Sequence, residues 1–102
     1  MMLADEMYPA MYKAEMALGH AMGQGPEFVD NKVKEALRMA HEVLSTPQAH
    51  PPYPPMVMRQ ILHTALQLAD GALSHMVGYG PAELDATIRE VLPDIRKTIA
   101  DA

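Results

Sequence analysis

The chain spells one short turn twice. HAMGQGP occupies residues 20–26 and HMVGYGP residues 75–81, an offset of 55. Aligned without a gap, 17–37 and 72–92 share Ala, Leu, His, Gly, Gly, Pro, Asp, Glu and Leu, nine identities in 21 positions. Composition alone gives about two. Met22/Val77, Val29/Leu84, Val33/Ile88 and Lys34/Arg89 are conservative pairs in the same alignment. A period of this length constrains the fold strongly, because a unit of this size has to bury its apolar face against its own copy.

The 102 residues suit a single domain spanning 1–102, with a first repeat over about 6–45, a linker over 46–55 and a second repeat over about 56–101. Between the two turns and around them, apolar residues recur at helical spacing. Met7, Ala10, Met11, Ala14, Leu18, Ala21 and Met22 share one face of a helix predicted over 6–23, capped at Asp5 so that Pro9 falls in its first turn. In the turn, glycine stops this helix and Pro26 opens the next, which runs to about Ser45 with Val29, Val33, Ala36, Leu37, Ala40 and Leu44 inward. Loops this short force antiparallel neighbours.

The segment TPQAHPPYPP, residues 46–55, holds five prolines and reads as an extended linker. A third helix over about 56–77 presents Met58, Ile61, Leu62, Ala65, Leu66, Ala69, Leu73, Met76 and Val77. The fourth starts at Pro81 with Leu84, Ile88, Val91 and Leu92 inward, is expected to kink or restart at Pro93, and continues through Ile95 and Ile99. The expected fold is all-α: a four-helix bundle made of two tandem antiparallel hairpins about a pseudo-twofold axis, with the two turns at opposite ends.

Composition removes several function classes. With no Cys there are no disulfides, thiol nucleophiles or thiolate metal sites. A net charge of −5 argues against neutralising nucleic-acid phosphates. The first residues, with Asp5 and Glu6, lack the basic and apolar regions of a secretory signal, and no stretch is long enough to span a bilayer. A cytoplasmic protein without a membrane partner is expected.

The candidate chemistry lies in duplicated polar residues. His20 and His75 sit about 200° from Leu18 and Leu73, away from the apolar face, in the last helical turn. There they complement the negative helix end, or they grip a ligand or metal as a pair. Asp30 and Asp85 fall about 20° from the inward direction marked by Leu37 and Leu92, so each needs a hydrogen-bond partner or lines a small central site. Glu15 with Lys34, and Asp70 with Arg89, are expected to face each other as matching ion pairs across each hairpin.

Motifs for catalysis are missing. HEVLS at 41–45 has Ser45 where the zinc-protease helix needs a second His, and no Glu-x-x-His pair supports a di-iron bundle. Ser45 and Ser74 stand in no nucleophile elbow. The glycines of GQGP and GYGP follow a helix rather than a strand, which fits capping better than phosphate binding.

The reading is therefore a non-enzymatic interaction or assembly module working through helix-face packing, self-associating or bound to a protein partner, with no cofactor. Tyr8, Tyr12 and Met16 on the Met-rich first helix are its expected contact surface. The alternative is a small-ligand or metal-binding bundle using Asp30, Asp85, His20 and His75.

Overall fold

A computed structural model describes residues 2–46 and 52–102. Four helices account for most of them: α1 Ala4–Ala21, α2 Glu27–Leu44, α3 Pro55–Met76 and α4 Ala82–Asp101. Among the described residues there is no strand. Of the linker, residues 47–51 lie outside the described residues.

The helix ends follow from local chemistry. α1 starts earlier than the spacing predicts, because the Leu3 N–H donates to Glu6 Oε2 at 3.3 Å and the helix is capped from there. Pro9 consequently stands inside the helix, where its ring removes a hydrogen bond to the Asp5 carbonyl. Gly23 (φ +76°) and Gly78 (φ +91°) take the left-handed conformation just beyond α1 and α3, as stop glycines do. Pro26, Pro54 and Pro81 each stand as the extended residue before a helix. Of the kink or restart expected at Pro93, the restart does not occur: α4 continues through it.

The four helices form a bundle of 39 × 22 × 18 Å. α1 and α3 each touch the other three helices, whereas α2 and α4 do not touch each other. The cross-section is thus a rhombus with α1 and α3 on its short diagonal. Ala10, Ala14 and Ala17 of α1 and Ala65, Ala69 and Ala72 of α3 are all buried, and side chains this small let two helix backbones come close. Around them Met7, Met11, Leu18, Leu62, Leu66, Leu73 and Met76 fill the core. The outer helices bury matching sets. Those of α2 are Val29, Val33, Ala36, Leu37, Ala40 and Val43; those of α4 are Leu84, Ile88, Val91, Leu92, Ile95 and Thr98, each 55 positions later.

The two turns lie at the same end of the bundle, not at opposite ends. A Cβ built on Gly25 would come 2.8 Å from Met76 Sδ, and one on Gly80 would come 3.2 Å from Gln24 Cβ. α1 and α3 therefore run in the same direction. In this orientation the chain crosses from the end of α2 to the adjacent start of α3. There Tyr53 joins Thr46, Val43, Met58 and Ile61 around a small cleft.

Candidate functional site

Asp30 and Asp85 each serve their own turn. Asp30 Oδ1 accepts a hydrogen bond from the Gly23 N–H at 2.7 Å, while Oδ2 meets Lys34 Nζ at 3.2 Å. Asp85 repeats this with the Gly78 N–H at 3.1 Å and Arg89 Nε at 2.7 Å. Each carboxylate ties the left-handed glycine to the first turns of the following helix. The Asp30 side chain is 14% exposed and that of Asp85 27%, an edge position that matches their offset from the apolar face. The Gly23 N–H, then Lys34, hold the Asp30 carboxyl below its ordinary value against partial desolvation. For Asp85 the Arg89 guanidinium comes first and the Gly78 N–H second.

Because Lys34 and Arg89 pair within their own helices, the expected bridges Glu15–Lys34 and Asp70–Arg89 are replaced. Glu15 Oε2 lies 3.3 Å from His41 Nε2, and Asp70 Oδ1 lies 2.9 Å from Arg96 Nε. The carboxylates are the predicted ones; their partners stand seven residues further along. In a helix the Cα–Cβ bond tilts toward the N-terminus. In these hairpins that tilt carries a side chain of the first helix away from the turn and one of the second helix toward it. The residues that meet are therefore out of register in the sense observed.

His20 and His75 are exposed in the last turns of α1 and α3. His75 Nε2 lies 3.3 Å from Lys32 Nζ of α2. Among the described residues no group of three or more His, Asp or Glu is placed to hold a metal ion. With both turns at one end, His20 and His75 share that end of the bundle, but the carboxylates beside them point into their own turns.

The interaction residues divide. Tyr12 and Met16 are 49% and 47% exposed on the outer face of α1. Tyr8 is not part of that surface: it is 5% exposed and belongs to the core. It stands seven residues before Glu15, hence within about 20° of it around the helix, on the side that α2 covers. Burial, then the nearby Asp5 and Tyr12, push its phenol above the usual value.

Spacing alone does not reveal the two outer clefts, one on each hairpin. The first, about 680 Å³, is lined by Met22, Lys34, Leu37, Arg38, His41, Glu42 and Ser45. The second, about 440 Å³, is lined by Val77, Leu92, Arg89, Pro93, Arg96 and Ser74. Five lining positions of the second are those of the first moved by 55. The second is the tighter one, where Arg96 Nη2 bonds Ser74 Oγ at 2.9 Å. The position matching Ser74 is Gly19, and a Cβ there would meet nothing within 4 Å.

Compared with known proteins, the chain matches no family model, no curated protein and no solved structure.

Proposed function

We propose that this chain is a non-enzymatic helical interaction module, built from two hairpins duplicated in tandem, that recognises protein by packing against the outer face of α1. One observation carries the reading. Tyr12 and Met16 stay about half exposed on a helix whose opposite face is buried. Aromatic and methionine side chains adapt to partners and supply much of the energy at interfaces. No helix of the described residues is long and apolar enough to cross a membrane.

The duplication draws support from the matching burial of α2 and α4, the paired Asp–Gly turns and the paired clefts. A pseudo-twofold axis along the bundle would relate them, exchanging α1 with α3 and α2 with α4. An ancestral hairpin with such a face had to dimerise to bury it.

Native mass spectrometry and sedimentation of the purified protein test the function. The expected result is an assembly, with itself or with another protein, that Tyr12→Ala with Met16→Ala dissolves while the helical fold persists. The same assembly should be indifferent to Asp30→Asn and Asp85→Asn. A monomer with no associated protein in any preparation would sink the reading. The ligand-binding alternative predicts instead a small-molecule or metal adduct that the two Asp→Asn changes abolish.

A further inference from the structure

We propose that Lys32 is an acyl-acceptor site: its amine takes the acyl group of a small thioester, and His75 of the other hairpin receives the proton. The site is independent of the outer face of α1, lying instead where α2 meets α3.

Lys32 Nζ of α2 stands 3.3 Å from His75 Nε2 of α3. In the tautomer protonated on Nδ1, Nε2 keeps its lone pair toward the amine. The neighbours of the other lysines differ. The chain has four, at 13, 32, 34 and 97, and all are exposed, so access does not separate them. Lys13 is paired with Asp94 at 2.7 Å and Lys34 with Asp30 at 3.2 Å. An amine engaged in this way has to leave its carboxylate before it can attack. Among the described residues neither Lys32 nor Lys97 has a carboxylate within ion-pair distance. Of these two, Lys32 is the one with an imidazole beside it.

That imidazole is what acylation needs. The free amine attacks the thioester carbonyl, and a proton must then leave the nitrogen of the tetrahedral adduct. A base held at hydrogen-bond distance is suited to accept it. As the N–C bond forms and the C–S bond breaks, the proton passes to Nε2 and on to the departing thiolate. A thiol is released and the imidazole is restored. The product is an amide on Lys32, with the positive charge removed. Because the chain has no Cys, no thiol of its own can take the acyl group first and hand it on. The assistance has to come from a base beside the amine.

The two hairpins supply a comparison within one molecule. His20 occupies the place in α1 that His75 occupies in α3, but the position matching Lys32 is Thr87. The Thr87 hydroxyl donates to its own helix, to the Glu83 carbonyl at 3.0 Å. The imidazole is repeated and the amine is not, so the site exists once.

The test follows acetylation of each lysine by peptide mass spectrometry, with the folded full chain in millimolar acetyl coenzyme A at one mildly alkaline pH. Lys32 should react about tenfold faster than Lys97, the low side of what a positioned base contributes. His75→Gln, at an exposed position, should bring Lys32 down to the rate of Lys97 with the circular-dichroism spectrum unchanged. His20→Gln should leave Lys32 as it was. In urea, where 43 positions of chain separate the two residues and no fold holds them together, the preference should vanish in the parent chain. A Lys32 that reacts no faster than Lys97, a rate indifferent to His75→Gln, an equal loss from His20→Gln, or a preference that survives urea would each overturn the proposal.

Discussion

At the scale of single residues, the glycines separate by what their backbones do. Gly23 and Gly78 are left-handed with open space around them, so an added methyl group meets no neighbour and the penalty is conformational. Gly23→Ala and Gly78→Ala should each cost about 1–2 kcal/mol in urea unfolding. Gly19→Ala, equally unobstructed but helical, should instead stabilise the monomer by about 0.5–1 kcal/mol. The same substitution with opposite signs checks the assignment, and equal signs would refute it. The aspartates at these turns make a pH prediction. Asp30 and Asp85 are held below the ordinary carboxyl value, so the folded chain binds their protons less readily than the unfolded chain. Their contribution is complete above the unfolded value of about 3.9 and fades as pH falls through the folded value. Asp30→Asn with Asp85→Asn should therefore lower stability at neutral pH and flatten the acid limb of a stability–pH curve below about pH 4. An unchanged limb would show that the turns do not use these charges.

At the scale of elements, periodicity is a reliable guide to what one helix buries and a poor one to what it meets. All six residues predicted inward on α2 are buried or partly buried, yet the ion pairs between helices were misplaced by seven residues. Two effects act together: Lys34 and Arg89 are taken by Asp30 and Asp85 of their own helices, and side chains that a wheel treats as radial lean along the axis. The error repeats in both hairpins, at His41 and at Arg96. Such half-exposed pairs contribute at most about 1 kcal/mol each, too little to hold the hairpins together. The contact between α1 and α3 has that role, and it rests on small side chains. Ala14→Leu or Ala69→Leu, at positions with 0% exposure, should cost about 1–3 kcal/mol by overpacking. The same change at the exposed Ala86 should fall within about 0.5 kcal/mol of neutral. Chemical denaturation compares the three, and a well-tolerated leucine at 14 and 69 would mean the two helices are not in close contact.

At the scale of the whole molecule, two helices that touch every other one leave no seam along which the hairpins can come apart. The core residues of α1 and α3 form one cluster with those of α2 and α4. The chain should unfold in one cooperative step, its calorimetric enthalpy matching the van't Hoff value. Two resolved transitions would show the hairpins to be separately stable units. The common end for both turns also gives the second glycine of each GxGP a use that reading one turn in isolation does not show. Gly25 lies against Met76, and Gly80 against Gln24, so each turn is packed on the other hairpin. The outer faces of the two hairpins, by contrast, differ. One presents Tyr12, Met16 and Gly19, the other Gln67, Gly71 and Ser74, which makes the molecule one-sided although its core positions match.

What the amino-acid order determined by itself was local: four helices, where glycine and proline end and begin them, which faces turn inward, and the 55-residue correspondence between the halves. The first three of these depend on the backbone and on side chains within a few residues. Only the tertiary structure decided the rest. It put both turns at one end, paired Glu15 with His41 and Asp70 with Arg96, buried Tyr8 and left a cleft beside Met22 and Leu37. The reason is that these depend on which face of one helix lies against which face of another, and in what direction. Apolar stripes specify that a helix must be covered, whereas the rhombic contact of α1 with α3 sets how far around each helix the cover extends.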